Sequence, residues 1–205
     1  MTADEVKENR DNKEFVLKAV AENGKFLDLV SKELQNDKEV VMTALEQDAE
    51  SLEFASNNLK NDKEVILKGV KGAPWTICYA TEKLRADREI IQEACKNYGQ
   101  ALYFASEDLR DDREIVKEAV TNKGIIIKYA SSRLRNDKEL ATIAITQNKD
   151  AYHFISKELQ QDEDIKALLI SKEDVKNILE SEDSIDIKAY LMLQMFEKLG
   201  DSLFI

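Results

Sequence analysis

The chain is poor in the residues that mark loops, disulfides and metal sites. It contains one proline, two cysteines, one histidine and six glycines among 205 residues. So little proline and glycine argues against a disordered or loop-rich protein. Cys78 and Cys95 are too far apart in sequence for the paired-cysteine patterns of zinc and redox sites. The sequence therefore predicts neither a bound metal nor a cofactor.

Long apolar runs and an excess of positive charge are also missing. No apolar segment approaches the roughly 20 residues that a membrane-spanning helix needs. The N-terminal residues lack the apolar core of a secretory signal peptide. The formal net charge of −11 disfavours acidic partners and non-specific binding to nucleic acid or anionic membranes. We expect a soluble cytoplasmic protein that binds neither nucleic acid nor membrane, with delivery to a host cell as an alternative.

What the chain does have is a repeat of 25 residues, which aligns with itself without a gap. An acid or amide, a glutamate two positions later, an apolar residue and a leucine recur at this offset. The acid or amide column consists of Asn12, Asp37, Asp62, Asp87, Asp112, Asp137 and Asp162. The leucine column consists of Leu34, Leu59, Leu84, Leu109, Leu134 and Leu159. Self-similarity at a fixed period is the signature of a repeat architecture.

The pattern within one unit predicts two short helices. The acid column is suited to cap the first helix, because its side chain can accept a hydrogen bond from a first-turn N–H group. Gly24, Gly99 and Gly124 suggest that this helix ends in a left-handed residue, and Pro74 in the same column fits the start of the second helix. The second helix carries an aromatic column followed by small residues, which predicts burial on more than one side.

We therefore predict an all-α solenoid of six 25-residue two-helix repeats with a helical C-terminal cap. Helices of this length are marginal alone in water, so they must be stabilised by stacking of successive units. Residues 1–11 would form a frayed lead-in and residues 12–161 the six repeats. Residues 162–205 would form a divergent last repeat and capping helices of the same continuous domain.

Two stretches of the repeat carry a resemblance to a known family. Residues 104–120 read FASEDLRDDREIVKEAV, and residues 129–140 read YASSRLRNDKEL. Both resemble the tandem repeat called domain of unknown function 4116, and the resemblance covers roughly residues 12–170. It implies a helical-repeat protein of a kind found in bacterial and some viral proteins, several of them from host-associated organisms. The family has no established activity, so the resemblance implies no functional residues.

No reactive constellation accompanies the repeat. His153 is the only histidine, and no nucleophile pattern or second metal-binding histidine lies near it in sequence. Cys95 occupies an apolar column, which predicts a buried thiol. The acid columns are expected to cap helices, and there is no glycine-rich phosphate loop. We therefore expect no catalytic residues; an enzyme would need a deep pocket around His153 or Cys78.

The most informative positions are those that the repeat leaves free. The second helix of each unit should expose the columns of Lys25, Asp28, Lys32 and Gln35. From the third unit onwards, the first two of these columns supply the candidate partner-binding residues: Trp75, Cys78, Tyr103, Ile125, Lys128 and His153. Exposed aromatic patches often mark protein contacts. The competing interpretation is that Trp75 folds over the turn beside Pro74 and only shields the core.

Two further features allow more than one interpretation. Leu17, Met42 and Leu67 on the first helices could form a surface groove, or core beneath the lead-in, which we favour. Basic residues also form pairs at the unit junctions: Lys60 and Lys63, Arg85 and Arg88, Arg110 and Arg113, Arg135 and Lys138. Since acidic residues flank each pair, we expect salt bridges between units rather than a site for phosphate or nucleic acid.

These observations predict a non-catalytic helical-repeat scaffold that binds an unidentified protein or peptide. The alternative is a structural module that associates with itself, through the same patch or through the apolar tail of Leu203, Phe204 and Ile205. The first hypothesis predicts a monomer and the second a homodimer. Light scattering across a concentration series distinguishes them.

Overall fold

The structure is a computed structural model that describes residues 1–170. Within that range the chain forms helices and turns and no strand, which confirms the predicted all-α repeat fold. The repeats divide into six units: 12–36, 37–61, 62–86, 87–111, 112–136 and 137–161. The predicted capping helices beyond residue 170 and the apolar tail lie outside the described residues.

Each unit contains an α-helix, a six-residue 3-10 helix and a short junction helix. The α-helices are Lys13–Glu22, Lys38–Gln47, Lys63–Gly72, Arg88–Asn97, Arg113–Asn122 and Lys138–Gln147. The 3-10 helices are Gly24–Leu29, Ala49–Phe54, Pro74–Tyr79, Gly99–Phe104, Gly124–Tyr129 and Lys149–Phe154. The junction helices are Leu34–Asn36, Leu59–Asn61, Glu82–Arg85, Glu107–Arg110, Leu134–Asn136 and Leu159–Gln161. A further α-helix, Glu163–Ala167, begins after the sixth unit.

The acid column caps the α-helices as predicted. The Oδ1 atom of Asp62 accepts hydrogen bonds from the backbone N–H groups of Glu64 and Val65, at 3.0 and 3.2 Å. The same pair of bonds recurs at Asp37, Asp87, Asp112 and Asp162. The cap satisfies donors that have no partner within the helix.

The second segment of each unit is a 3-10 helix rather than the α-helix that its residue spacing suggested. A 3-10 helix rises about 2.0 Å per residue and an α-helix about 1.5 Å. Six residues therefore cover about 12 Å, most of the length of the ten-residue α-helix beside them. The longer rise per residue of the 3-10 helix lets a short segment return the chain towards the start of the next unit.

The glycines at the start of the 3-10 helices serve close packing, so the prediction of a left-handed residue there is wrong. In the first unit, Asn23 lies between the α-helix Lys13–Glu22 and Gly24, and its backbone is extended at φ −150°. A Cβ atom on Gly24, Gly99 or Gly124 would lie 2.4, 2.5 or 2.1 Å from a backbone carbonyl oxygen in the α-helix of the next unit. Only glycine permits that approach.

The N-terminal lead-in is a folded helix instead of the frayed segment expected. Ala3–Glu8 is capped by Thr2, whose side chain bonds the Glu5 backbone while the Glu5 side chain bonds the Thr2 backbone. This reciprocal arrangement satisfies two helix-end donors at once. Val6 is fully buried, and the helix packs against the first 3-10 helix.

Apolar columns at the unit interfaces form one continuous core. The α-helix of each unit packs against the next α-helix, and the 3-10 helices form a second row of neighbours. In the fourth unit Ile90, Ile91 and Leu102 are fully buried. Each such side chain stabilises the fold by about 1.5–3 kcal/mol of transfer free energy. The exposed face of the 3-10 row is the surface that the repeat leaves free to vary.

Candidate binding groove on the 3-10 row

The six predicted partner-binding residues all lie on 3-10 helices, at different depths. Trp75 and Tyr103 are exposed at 48% and 57%; the other exposed large apolar residue within residues 1–170 is Met1. Cys78 and Ile125 are half-buried, and Ile125 packs against the core. The remaining two, Lys128 and His153, are exposed.

Three of the six residues come together in one groove. It lies between the 3-10 helices of the fourth and fifth units and has a volume of about 280 Å³. We call it the Tyr103 groove. Its lining is Tyr98, Gln100, Tyr103, Phe104, Lys123, Ile125, Ile126, Lys128 and Tyr129. Trp75, Cys78 and His153 do not line it.

Aromatic contacts hold the Tyr103 ring in place although more than half of the residue is exposed. Its centroid lies 5.1 Å from that of Phe104 at 78° and 5.1 Å from that of Tyr129 at 60°. Edge-to-face pairs of this kind are favourable because the positive ring edge meets the negative ring face. The wall of the groove is therefore a packed cluster rather than one freely rotating side chain.

Lys128 places a positive charge at the same wall. Its Nζ atom lies 4.8 Å from the Tyr129 centroid and 5.8 Å from that of Phe154 in the next unit. Both distances fall within the range of cation–π attraction. Lys123 and Lys128 are the only charged residues that line the groove, and neither forms an ion pair within the described part of the chain.

A groove between the first and second units, nearer the junction helices, has a different chemistry. It has a volume of about 390 Å³, and its charged lining residues are Asp28, Glu53, Lys32 and Lys60. Asp28 and Glu53 occupy the column that holds Tyr103 in the fourth unit. The same position of the repeat thus carries an acid in this groove and a tyrosine in the Tyr103 groove.

Trp75 lies on the same row but outside the groove. Its Nε1–H group donates to Glu50 Oε1 of the preceding unit at 3.2 Å. With 48% of the residue exposed, Trp75 remains accessible from solvent. The carbonyl oxygen of Cys78 accepts a hydrogen bond from Arg85 at 2.6 Å, and burial raises the pKa of its thiol.

The prediction that the Gln35 column is exposed is wrong. Gln35 is 4% exposed and donates from Nε2 to the carbonyl oxygen of Leu27 at 2.9 Å. Lys60 and Arg85, one and two units further on, donate to carbonyl oxygens of their own 3-10 helices at 2.6 Å. Carbonyl groups at a helix C-terminus lack partners and favour cations. In these three units the column therefore caps the 3-10 helix.

The second cation of each basic pair forms the predicted salt bridge between units. Lys63 Nζ lies 2.8 Å from Asp87 Oδ2 and 2.9 Å from Glu89 Oε2 of the next unit. The contact to the helix cap recurs at every junction, at 2.7–2.9 Å: Lys13–Asp37, Lys38–Asp62, Lys63–Asp87, Arg88–Asp112, Arg113–Asp137 and Lys138–Asp162. These cations are consequently engaged within the array.

A third set of junction contacts escaped the sequence analysis. Two positions after the aromatic column, every unit has Ser or Thr, and the sequence pattern alone predicts no hydrogen bond for it. The backbone N–H of Ser56 donates to the carbonyl oxygen of Gln35 in the preceding unit at 2.9 Å. Its hydroxyl donates to Asn36 Oδ1 at 2.5 Å and accepts from the Leu59 N–H at 3.2 Å. The recurring spacing of serine three residues before the leucine column could have indicated this cap.

The α-helix row also carries a surface groove. Met42 and Leu67 line a groove of about 450 Å³ together with Glu64 and three lysines: Lys63, Lys68 and Lys71. The interpretation that these two apolar residues are core beneath the lead-in is therefore wrong. The lead-in helix packs mainly on the first 3-10 helix and leaves this part of the α-helix row uncovered.

Within residues 1–170, no group of three or more His, Cys, Asp and Glu side chains is arranged to hold a metal ion. No helix in that range has the length and apolar character needed to cross a membrane. The ring of His153 packs edge-on against Tyr152, with the centroids 5.8 Å apart.

The fold and its two rows define a tandem helical-repeat protein. A family model described as Domain of unknown function (DUF4116) matches residues 12–60, 62–110 and 112–160, and each match spans two of the units described above. The chain therefore belongs to the DUF4116 family, as its sequence resemblance predicted. No curated protein and no solved structure matches it.

Proposed function

We propose that this protein is a non-catalytic scaffold that binds a protein or peptide partner on its 3-10 row, with the Tyr103 groove as the principal contact. One observation carries the proposal: Tyr103 is 57% exposed, yet its ring is fixed against Phe104 and Tyr129. A fixed aromatic side chain loses little conformational entropy on binding, and exposed Tyr and Trp are frequent interface hot spots.

The variation along the row supports the same conclusion. The column that contains Tyr103 also holds Asp28, Glu53 and Lys128, each on the same kind of 3-10 helix. Since the fold accepts an acid or a base at this position, packing does not require tyrosine there. A large apolar group at a position that the fold leaves free is better explained by a contact with another molecule.

The remaining candidate residues extend this surface along the row. Trp75 and Cys78 lie one unit before Tyr103, Ile125 and Lys128 one unit after it, and His153 two units after it. Repeat arrays offer such extended surfaces because each unit contributes equivalent positions. The central part of an extended partner would contact the Tyr103 groove, and its ends would contact the flanking units.

A peptide-display selection tests the proposal. We expect the intact protein to enrich a family of related peptides, and the Tyr103→Ala variant to lose them while its thermal melting stays close to that of the parent protein. Trp75→Ala, one unit away, should weaken only the longer peptides. Enrichment that does not depend on Tyr103 would contradict the assignment.

Self-association through the same groove is distinguished by light scattering across a concentration series. A monomer at every concentration would exclude self-association and would retain the proposed binding of a different partner. A dimer that the Tyr103→Ala variant abolishes would replace the proposed function with a homotypic contact.

A further inference from the structure

We infer that the Tyr103 groove takes an acidic peptide segment: an extended stretch in which one aromatic or aliphatic side chain is flanked by carboxylates. This inference rests on the proposed function and names the chemistry of its partner. The charge of the groove carries it, because that charge is opposite in sign to the charge of the whole chain.

The local charge is set by two lysines that have no carboxylate partner within residues 1–170. Lys123 and Lys128 line the groove with no carboxylate among the other lining residues. Elsewhere the cations at the start of the α-helices are paired with acids at 2.7–2.9 Å. In a chain of net charge −11, two lysines without an ion pair in the described residues at one groove are suited to bind a carboxylate from another molecule.

Lys128 is oriented for this task. The rings of Tyr129 and Phe154, at 4.8 and 5.8 Å, hold the ammonium group by its attraction to their faces. Within residues 1–170 the Lys128 Nζ atom donates no hydrogen bond to an oxygen, so N–H groups that do not face the rings can form charge-assisted hydrogen bonds to a carboxylate.

The rest of the lining specifies an apolar group beside that carboxylate. Tyr103 and Phe104 of the fourth unit and Ile125 and Tyr129 of the fifth contribute apolar surface to the lining. Ile126 is 3% exposed and closes the inner side of the groove. A volume of about 280 Å³ suits one large side chain rather than a folded domain, so the anchor is a single aromatic or aliphatic residue.

The net negative charge of the chain does not oppose this locally. The acids of the same two columns are Asp28, Glu50, Glu53 and Asp150; they belong to the first, second and sixth units and do not line the groove. At physiological ionic strength, interactions between exposed charges are screened beyond about 8–10 Å. The two lysines are therefore the charged groups that a segment bound in the groove would meet.

Short fluorescein-labelled peptides of equal length test the inference. The first has a central phenylalanine flanked by glutamates, the second has lysines in place of the glutamates, and the third keeps the glutamates but replaces phenylalanine by serine. Measured by fluorescence anisotropy, the first should bind at least about tenfold more tightly than either of the others. Its affinity should fall as sodium chloride is raised.

A pair of charge variants shows whether the groove or the whole chain is responsible. Lys128→Glu should weaken binding of the first peptide by about tenfold or more. Lys157→Glu makes the same change of net charge at an exposed residue that does not line the groove, and it should leave the affinity unchanged. Tyr103→Ala should abolish binding of the first peptide.

Three results would overturn the inference: equal or tighter binding of the lysine peptide, an equal loss in both charge variants, or no binding of the first peptide. If display then yields basic or neutral peptides that depend on Tyr103, the scaffold function stands and only the acidic partner is wrong. If no peptide of any charge depends on Tyr103, both fail.

Discussion

Lys63 of the third unit is bound to Asp87, the residue that caps the α-helix of the fourth. Their Nζ and Oδ2 atoms lie 2.8 Å apart, while Asp87 Oδ1 accepts from the N–H groups of Glu89 and Ile90. One oxygen of this carboxylate therefore caps a helix, and the other forms a salt bridge with the preceding unit. The same arrangement recurs along the array, so helix initiation and unit stacking are coupled.

This coupling predicts that the array is sensitive to acid. Burial alone would raise the pKa of Asp87, but Lys63 and the backbone N–H groups outweigh it, and the pKa is lowered below its ordinary value of 3.8. Asp37, Asp62, Asp112 and Asp137 are lowered in the same way. A carboxylate whose pKa is lowered on folding stabilises the protein above its unfolded pKa, and this contribution is lost as the pH falls through the folded pKa. We expect the melting temperature to fall steeply below about pH 4.

Asp87→Asn isolates one such contact. Asparagine keeps the cap acceptor but loses the charge, so the free energy of unfolding at neutral pH should fall by about 0.5–1 kcal/mol. The difference from the parent protein should shrink as the pH falls below the folded pKa of Asp87, because both side chains are then neutral. Denaturant unfolding at a series of pH values measures this, and a difference independent of pH would contradict the role of the charge.

Two glycine-to-alanine substitutions should have opposite effects. At Gly124 a Cβ atom would lie 2.1 Å from the carbonyl oxygen of Ala144, so the helix backbone must move and we expect a loss of about 1–3 kcal/mol. At Gly69 the nearest atom is the end of the Leu52 side chain, at 2.7 Å. Gly69→Ala should gain up to about 1 kcal/mol of helix propensity, provided that Leu52 can shift.

Other units indicate that Leu52 can shift. By the repeat register, Ala44 faces Leu27 and Ala119 faces Leu102 at the equivalent contact, and all four residues are fully buried. Thermal and denaturant unfolding of both variants would measure the effects. A destabilised Gly69→Ala variant would show that the contact is rigid.

Features set by a few neighbouring residues could be predicted from the sequence. The cap of Asp62 depends on N–H groups two and three residues away, so its role follows from residue type and position alone. The salt bridge of Lys63 with Asp87 required one more step, because the fixed period places the same column of the next unit beside it. Both contacts were predictable because each depends only on residue type and on a fixed position within the repeat.

The prediction for the Gln35 column was wrong because it depended on where a helix ends. Lys25 and Asp28 share the exposed face, as three-residue spacing requires on a 3-10 helix. The helix ends at Leu29, and Val30 is extended at ψ 167°, so helical spacing cannot be continued to Gln35, which points inward. The Tyr103 groove was harder still: its lining depends on how side chains from two units pack, and the sequence predicted only three of its nine residues.

A single hydroxyl at the junction between the fourth and fifth units should affect stability. The Ser131 hydroxyl donates to Asp111 Oδ1 and accepts from the Leu134 N–H at 3.2 Å. Ser131→Ala removes the cap of the junction helix, and we expect a loss of about 1 kcal/mol. Ser132→Ala is a matched control, since Ser132 is exposed. Equal denaturation midpoints for the two variants would contradict the role assigned to Ser131.

The two thiols should differ in their reaction with a thiol-labelling reagent in the native state. Cys95 is fully buried, and burial raises its pKa to about 12, so the reactive thiolate is scarce near neutral pH. Cys78 is half-buried with a pKa raised by burial, so it should react slowly, whereas Cys95 should react only when the array unfolds. Mass spectrometry should find one label on the native protein and two in denaturant. Rapid native labelling of Cys95 would show that the core around it opens far below the unfolding transition.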